Sequence, residues 1–376
     1  MNGPVEGEDA SKAASAGGKG KPPPKVSIQR STYKDIDIVS LLAPLGGMER
    51  FVKRGDRVLL KVNLLSASEP AKAVTTNPAV VEAVAKAVKA AGGVPYIGDS
   101  PGGPFSKFWL ERGYKASGFK ELSERLGIDL NYDFGSRVVD VPRGRVLKST
   151  PICNYVLDAD RIIALPKLKT HSLMVMTLAT KIMYGAIPGL TKGRYHVRFM
   201  KKPEFADMLL DILTVVKPDL YIMDGVIGMD GNGPNSGRPV NIGAMMASSN
   251  PYAMDLAACK VVGVEPIGVH PLKAAKIRGL WPKEIDYPRL SPKDVRYKGF
   301  KLPDSAGPLA SGGKGGELSP RPSDRCIACG RCQTICPREA ITVVGKRAKV
   351  DYTRCIRCYC CHEVCPADAI DLVNLG

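Results

Sequence analysis

The sequence is poor in aromatic residues, which make up 6% of its 376 residues, and it contains no recognisable DNA- or RNA-binding motif. Its net charge of +17 at pH 7 would attract a polyanion, but stacking on bases needs aromatic side chains. We therefore rank a nucleic acid partner well below an acidic protein partner or a small anionic substrate.

Long apolar runs are also missing from the chain. No stretch of about 18 uncharged apolar residues occurs, so no membrane-spanning helix is expected. Residues 1–24 are rich in Gly, Ala, Lys and Pro, which predicts a disordered tail and neither a signal peptide nor an anchor. The chain has 11 cysteines, and clustered thiols persist in reducing compartments, so we predict a cytoplasmic protein.

Most of these cysteines belong to one phrase, C-x₂-C-x₂-C-x₃-C-P, which occurs twice near the end of the sequence. The first copy contains Cys326, Cys329, Cys332 and Cys336, and the second contains Cys355, Cys358, Cys361 and Cys365. Bacterial-type ferredoxins bind [4Fe–4S] clusters with this spacing. The sequence therefore predicts two [4Fe–4S] clusters in a duplicated unit whose halves are each too small to bury a core.

The fourth cysteine of each copy is expected to cross over to the other cluster. One predicted set is Cys326, Cys329, Cys332 and Cys365, and the other is Cys355, Cys358, Cys361 and Cys336. Disulfides would need an oxidising compartment and zinc ribbons share only the C-x₂-C part, so both alternatives rank lower. Cys360 is interpreted as a packed or spare thiol that could permit ligand exchange, and His362 as a hydrogen-bond donor behind the ligands.

Upstream of the cysteines, strand-like and helix-like segments alternate. This alternation predicts an α/β domain at 25–302, with a mainly parallel sheet flanked by helices. Strands are expected at Val26–Gln29, Arg57–Leu64, Val94–Gly98, Arg161–Leu165 and Asp219–Met229, and helices at Pro78–Ala91 and Pro251–Val262. A Gly/Pro-rich linker at 303–320 and a small α+β ferredoxin-like dicluster domain at 321–376 follow.

Polar or glycine-rich segments follow four of the predicted strands. A parallel sheet binds its ligand outside the carboxyl ends of its strands, so these segments are expected to share one pocket. The predicted substrate-binding residues are Lys61, Asn63, Thr75, Thr76, Asp99, Ser100, Lys181, Asp224, Gly231 and Gly233. Lysines with hydroxyl donors suit a carboxylate or a phosphate. Because no Walker or G-x-G-x-x-G sequence is present, no nucleotide is predicted.

The candidate catalytic residues are His171 and the two lysines before it, Lys167 and Lys169. Histidine titrates near neutrality and so suits general acid–base work, although His171 could equally serve only to order its own loop. Asp99 and Asp224 could orient a lysine, bind a metal or cap a helix, and capping is favoured. A basic segment after Gly189, either functional or merely solvated, contains Lys192, Arg194, His196, Arg198, Lys201 and Lys202.

Several phrases of the chain resemble the DUF362 family of iron–sulfur proteins. They are VLLKVNL, AVTTNPAVVEAV, GDSPGG, LPKLKTH, TLATKIMYGAIPG, DGNGPNSG and PYAMDLAACKVVGV, and the C-terminal CIRCYCCHEVCP is similar to that of family members with a ferredoxin module. The resemblance covers nearly all of the chain after the tail, but it implies little about function. LPKLKTH and the α/β plan also distantly resemble the lactate racemase nickel-pincer proteins, as a fold-level analogy.

Two clusters joined to a cationic pocket predict a ferredoxin-coupled oxidoreductase that passes single electrons to a small anionic substrate or cofactor. The arginines around the cysteines favour an acidic redox partner such as a ferredoxin or flavodoxin. These arginines are Arg325, Arg331, Arg338, Arg347, Arg354 and Arg357. The alternative is a non-enzymatic electron carrier or an assembly subunit of a larger redox complex, so enzymatic activity stays open.

Overall fold

A computed structural model describes residues 22–307 and 318–375 of the chain. The predicted tail at 1–24 lies outside the described residues except for 22–24, and residues 308–317 of the predicted linker also lie outside them. None of the helices in the described ranges is both long enough and apolar enough to cross a lipid bilayer.

The secondary structure begins as an alternation of strands and helices and ends in short strands and single helical turns. The strands are β1 (Ser27–Arg30), β2 (Arg57–Val62), β3 (Val94–Gly98), β4 (Asp129–Leu130), β5 (Ser136–Asp140), β6 (Ser149–Cys153), β7 (Arg161–Leu165), β8 (Lys167–His171), β9 (Val175–Met176), β10 (Leu220–Asp230), β11 (Arg238–Ser248), β12 (Ser319–Pro322), β13 (Ile341–Val344), β14 (Arg347–Val350) and β15 (Ile370–Val373). The helices are α1 (Ile38–Leu42), α2 (Pro78–Ala90), α3 (Lys107–Ala116), α4 (Phe119–Leu126), α5 (Asn154–Leu157), α6 (Leu178–Ile182), α7 (Gly189–Arg198), α8 (Lys202–Val215), α9 (Pro251–Val262), α10 (His270–Ile277), α11 (Arg331–Ile335) and α12 (Cys360–Glu363).

Within the described residues, nine strands form the central sheet, whose main order is β1-β11-β10-β7-β2-β3-β4. The β10, β7, β2, β3 and β4 strands pair in parallel, whereas β11 pairs antiparallel with both β1 and β10. The predicted α/β class with a mainly parallel, helix-flanked sheet is thus confirmed. The carboxyl ends of β2, β3 and β7 lie at one edge, where such folds bind ligands.

Strand β2 shows why this sheet forms a buried layer. Its run of β-branched and leucine residues alternates between two apolar cores: Val58, Leu60 and Val62 pack into one, and Leu59 packs into the other. Helix α2 covers the first core with the valines of one helical stripe. Asn77 caps this helix by accepting a hydrogen bond from the Ala79 N–H at 2.9 Å, and Pro78 fits the first turn.

The segment after β7 differs from the expected loop. Pro166 interrupts the chain, and the next five residues form β8, which pairs in parallel with β10 and antiparallel with β9. All five side chains of β8 are buried. The lysine-rich, polar sequence of β8 therefore lies inside the protein, because groups on other elements pair with its charged side chains.

Candidate functional site

The C-terminal region places its cysteines around two separate cavities, of about 320 and 370 Å³. The smaller cavity is lined by the predicted set Cys326, Cys329, Cys332 and Cys365, and the larger by the predicted set Cys336, Cys355, Cys358 and Cys361, with Cys360 beside them. Each set contains three cysteines of one copy of the phrase and the fourth cysteine of the other copy. These are the two crossed sets that the spacing predicts, so the arrangement fits two clusters that tie the halves together.

The duplication extends to the backbone around each cavity. Ala328 and Arg357, at corresponding positions of the two copies, both have a left-handed φ of about 50°. This conformation is uncommon outside glycine and curls each cysteine loop tightly. The backbone N–H of Ala340 donates to the Cys336 sulfur at 3.1 Å, and that of Ala369 donates to the Cys365 sulfur at 3.2 Å. Such N–H donors stabilise thiolates, which is the form that ligates a cluster.

The ring of His362 bridges two parts of the molecule. Its Nδ1 lies 2.6 Å from the Ile370 carbonyl oxygen, and its Nε2 lies 3.2 Å from the Asn232 carbonyl oxygen. The glycine-rich loop at 231–237 makes further contacts of this kind. Asn235 donates to the Cys365 carbonyl at 2.9 Å, and the Ser236 hydroxyl to the Asp368 carboxylate at 2.8 Å. This loop therefore docks the cysteine region onto the sheet.

A cavity of about 780 Å³, counting the part open to solvent, lies where the cysteine region meets the carboxyl edge of the sheet. The sheet side contributes residues that follow β2 and β3, the end of β8, and helices α6 and α7. The cysteine region contributes Cys360 and Glu363 from α12, with Val364 after it. Six of the predicted site residues line this cavity: Asn63, Asp99, Ser100, Lys169, His171 and Lys181.

His171 faces Glu363 across this cavity. The His171 Nδ1 accepts hydrogen bonds from the backbone N–H groups of Leu173 and Met174, at 3.1 and 3.4 Å. The ring proton must therefore be on Nε2, which lies 3.3 Å from Oε1 of Glu363. Burial holds the pKa of His171 well below its usual range, and the nearby ammonium groups of Lys181 and Lys169 act in the same direction.

Three lysines make the cavity cationic, and burial lowers the pKa of each. The pKa of Lys169 falls to about 7, because burial and then the neighbouring Lys181 disfavour its charge. The pKa of Lys192 also falls to about 7, mainly through burial. Burial lowers the pKa of Lys181 against the opposing effect of Glu363. An anion entering the cavity would restore the charged form of these lysines.

The three lysines differ in the hydrogen bonds that their ammonium groups already make within the protein. Lys169 donates to the carbonyls of Val74 and Pro234 at 2.6 and 3.2 Å, and Lys192 donates to the Ser100 carbonyl at 2.7 Å. In residues 22–307 and 318–375, no hydrogen bond or ion pair engages the Lys181 ammonium, which lies 5.5 Å from the ring centroid of Tyr184. Lys181 is therefore the donor with most capacity left for a ligand.

Helix α6 holds Lys181 in this position through a carboxylate from α9. Asp255 accepts hydrogen bonds from the backbone N–H groups of Ala179 and Thr180, at 2.7 and 2.9 Å, and from the Thr180 hydroxyl at 2.6 Å. Gly185 then lets the chain pass close to the sheet. A Cβ atom there would lie 2.2 Å from Oδ1 of Asp99 and 2.4 Å from Nζ of Lys61, which only glycine avoids.

Two buried acceptor atoms on the cavity wall, Oδ1 of Asn63 and Oε1 of Glu363, accept no well-aligned hydrogen bond within the described part of the chain. Nε2 of His171 lies 3.3 Å from Oε1 of Glu363 but is not aligned to donate to it. Burial also raises the pKa of Glu363 to about 7, with Lys181 and then Lys169 opposing it. Buried acceptors of this kind normally find a partner, so the cavity has both donors and acceptors free to contact a small polar molecule.

The other predicted site residues do not line this cavity. They are Lys61, Thr75, Thr76, Lys167, Asp224, Gly231 and Gly233. Lys167 is fully buried and its ammonium lies 2.7 Å from the Asp224 carboxylate and 2.8 Å from the Tyr33 hydroxyl. Lys61 pairs in the same way with Asp99 at 2.8 Å. Both aspartates therefore pair with a lysine, and helix capping, which the sequence favoured, is not what their side chains do.

The remaining predicted residues have local contacts of their own. The Thr76 hydroxyl donates to the Leu165 carbonyl at 2.6 Å and ties the loop after β2 to β7. Gly233 lies against β8, since a Cβ there would be 2.5 Å from the Thr170 carbonyl oxygen. The Thr75 hydroxyl is buried without a donor or acceptor among the described residues. Their roles in substrate binding stay predictions.

Sequence reasoning did not select five titratable residues of the cavity wall as site residues. These are Tyr184, Lys192, His196, Cys360 and Glu363. Lys192 and His196 stand four positions apart on α7 and are both buried, which distinguishes them from the solvated residues of the same basic segment. Their spacing on one helical face was the available signal. For Glu363 the sequence carried no signal, because only docking of α12 brings it to the lysines.

Comparison with known proteins agrees with this architecture. The chain belongs to the DUF362 family, a domain of unknown function that matches residues 58–260, and a 4Fe-4S dicluster domain matches residues 325–369. The expected family and the C-terminal ferredoxin-type domain are thus confirmed, and the dicluster domain supports iron–sulfur electron transfer. The chain is also similar to a thylakoid-associated protein of Synechocystis sp., with 35% identity over 283 residues, 73% of this chain and 84% of the relative.

Among solved structures, the chain is similar to the lactate racemase apoprotein from Thermoanaerobacterium thermosaccharolyticum. The sequence identity is 14% and the TM-score is 0.41, with 63% of this chain and 56% of the racemase chain covered. The match thus spans little more than half of the racemase.

Proposed function

We propose that this chain is an iron–sulfur oxidoreductase in which electrons supplied singly by two [4Fe–4S] clusters reduce a small anion bound between the sheet and the dicluster domain. The observation that supports this most directly is the shared cavity wall. Cys360 and Glu363 lie between cysteines of the second copy. They line the same cavity as Lys169, His171 and Lys181.

The residues of the cavity wall can bind the anion, and the open side of the cavity gives protons access to it. The Lys181 ammonium, which has no hydrogen bond or ion pair among the described residues, can bind a carboxylate or phosphate oxygen, and Lys169 and Lys192 add positive charge to the same cavity. A two-electron reduction also takes up two protons. The Nε2–H of the neutral His171 ring can donate a hydrogen bond to the bound anion, and the protons come from solvent at the open side of the cavity.

The surface around the smaller cysteine cavity supports the proposed acidic electron donor. Cys329 is exposed and Ile327 beside it is 64% exposed, so this ligand set lies close to the protein surface. Arg325, next to Cys326, is exposed, and Arg331 lines the same cavity. Basic side chains around an exposed electron-entry point favour encounter with an acidic protein such as a ferredoxin or flavodoxin.

Anaerobic reoxidation of the reduced protein tests this function. The protein with both clusters in place is reduced with dithionite, the excess is removed, and recovery of the oxidised absorbance is followed after addition of small organic and inorganic anions. We expect at least one anion to reoxidise the protein, and Lys181→Met to slow that reaction by tenfold or more. If none of a broad set of metabolites and co-purifying molecules reoxidises the protein, the proposal is wrong.

The same experiment distinguishes an electron carrier or assembly subunit. In that case His171→Ala and Lys181→Met would leave electron transfer from dithionite to a protein acceptor unchanged. Neither substitution would change the rate at which any small anion reoxidises the protein. If the protein is an oxidoreductase, both substitutions should slow reoxidation by the anion, because both side chains line the substrate cavity.

A further inference from the structure

A second cavity, of about 720 Å³ with the part open to solvent, adjoins the first. The two cavities share a wall whose members come from both the sheet domain and the dicluster domain. The shared residues are Leu64, Leu65, Pro101, Gly102, Ile335 and Val364. A ligand that fills one cavity can therefore extend into the other without crossing a separate structural layer.

The two cavities differ in chemistry. The first contains the lysines, His171 and Glu363, whereas the second is lined mostly by apolar side chains and glycines. Trp109 lines the second cavity, and the guanidinium of Arg331 lies 5.2 Å from the centroid of its ring. This contact fixes an aromatic wall in place. Burial of the apolar part of a ligand in the second cavity would favour binding, and so would contact of an anionic group with the lysines of the first.

We propose that the two cavities form one binding site for an amphipathic organic acid, with its carboxylate at Lys181 and its apolar body, of aromatic size, against Trp109. This inference rests on the proposed function only in naming the kind of substrate that would be reduced. It assigns the second cavity a ligand-binding role and makes an apolar body necessary for tight binding.

Residues of both cysteine loops border this composite site. Cys329, which belongs to the first set, lines the apolar cavity. Cys360, which lies beside the second set in the larger cysteine cavity, lines the lysine cavity. A ligand that fills both cavities would thus lie next to residues of both cysteine loops. A ligand confined to one cavity would lie next to only one of these loops.

Gly102 is the residue through which the proposal can be tested most directly. It lines both cavities, its φ lies outside the left-handed region, and a Cβ atom there would meet no heavy atom of residues 22–307 and 318–375 within 4 Å. A larger side chain at this position would therefore enter the junction without clashing with the backbone. Ala71 is exposed and lies outside both cavities, so Ala71→Leu is the matched control for Gly102→Leu.

Binding is measured by anaerobic equilibrium dialysis of the full-length protein with both clusters in place. Three probes separate the parts of the ligand: naphthoate has both a carboxylate and an apolar body, acetate has only the carboxylate, and naphthol has only the apolar body near neutral pH. We expect naphthoate to bind at least tenfold more tightly than either of the others. Equal binding of naphthoate and acetate, or no binding of naphthoate, would overturn the proposal.

The variants assign each part of the probe to a cavity. Gly102→Leu should weaken naphthoate binding at least tenfold and leave acetate unchanged, whereas Lys181→Met should weaken naphthoate and acetate but not naphthol. Ala71→Leu should change none of them. Unchanged naphthoate binding in Gly102→Leu would contradict the proposal. If Gly102→Leu loses iron or structure, Ala67→Phe, which narrows only the apolar cavity, serves in its place with the same expected outcomes.

These measurements are independent of electron transfer. The expected binding pattern without any reoxidation by anions would support the composite site and contradict the proposed oxidoreductase. Reoxidation by small anions, together with naphthoate binding that Gly102→Leu leaves unchanged, would support the oxidoreductase and contradict the composite site.

Discussion

Nε2 of His171 lies 3.3 Å from Oε1 of Glu363, so the end of strand β8 meets helix α12, which lies inside the second cysteine run. Neither residue is near the other in sequence, and neither is exposed: their side chains are 3% and 12% accessible. This contact places a proton-bearing ring from the DUF362 domain beside a carboxyl group from the dicluster domain. It also makes the cavity wall depend on docking of the two domains.

The first prediction concerns this pair. His171→Gln and Glu363→Gln should each lower the free energy of unfolding, and the double variant should lose less than the sum, with a coupling of about 1 kcal/mol. Urea unfolding of the four proteins measures it. As a control, His171→Gln combined with Glu339→Gln, at an exposed glutamate, should be additive. Additivity in both cycles would show that the His171–Glu363 contact contributes nothing.

The second prediction concerns Lys181, whose ammonium makes no hydrogen bond or ion pair within the described ranges. Lys181→Met should change the free energy of unfolding by less than about 1 kcal/mol, because no polar partner is lost. Lys167→Met should cost about 3–5 kcal/mol, because it leaves the buried Asp224 carboxylate without its lysine.

Anion binding should show the opposite order. Naphthoate affinity, measured by dialysis, should fall at least tenfold in Lys181→Met and remain near the original value in folded Lys167→Met, since Lys167 does not line the cavity. Lys201→Met, at an exposed lysine, is the control. Strong destabilisation by Lys181→Met, with binding intact, would contradict this assignment.

The third prediction is the pH dependence of anion binding. Lys169 and Lys192 have pKa values lowered to about 7, so both are mainly cationic below pH 7 and mainly neutral above it. Attraction for an anion is therefore present at low pH and is lost as the pH rises through 7. Dialysis with naphthoate should show an affinity about tenfold higher at about pH 6 than at about pH 8.5. An affinity that rises over this range would contradict the lysine assignment.

The fourth prediction tests the crossed ligation. Cys336→Ser and Cys355→Ser should affect the same cluster, because both residues line the larger cysteine cavity, whereas Cys326→Ser should affect the other cluster. Electron paramagnetic resonance of the reduced proteins distinguishes the two clusters. Cys360→Ser should retain about eight iron atoms per chain, since the crossed sets account for two clusters without it. If Cys336→Ser instead matches Cys326→Ser, each copy binds its own cluster and the crossed assignment is wrong.

The fifth prediction compares two glycines of the cavity. Gly185→Ala should lower the free energy of unfolding by ~2 kcal/mol or more, because its methyl group would collide with the Lys61–Asp99 ion pair. Gly102→Ala should change it by less than about 0.5 kcal/mol, because nothing lies within 4 Å of the added carbon. Thermal or urea unfolding measures both. Equal effects would show that the protein relaxes around Gly185 at little cost.

The sequence determined the elements whose patterns are local. The strands Val94–Gly98 and Arg161–Leu165 and the helix Pro251–Val262 have the predicted bounds, because apolar periodicity, proline and glycine act over a few residues. The spacing of the cysteines likewise predicted the two sets that surround the two cysteine cavities, since a duplicated phrase fixes which residues correspond. Position after the strand Arg161–Leu165 also led to Lys169 and His171, and Lys181 was selected as a cationic residue; all three line the cavity, Lys181 from helix α6.

Tertiary structure decided the rest, because burial and pairing depend on elements far apart in the sequence. Lys167 and Lys169 are two positions apart on β8, yet one is paired with Asp224 away from the cavity and the other lines it. The loop at 231–237, predicted to be part of a ligand site, contributes Pro234 to the cavity wall, and its Asn235 and Ser236 side chains also bind the dicluster domain. Glu363 reaches the lysines only through that docking, so the sequence alone gave no reason to select it.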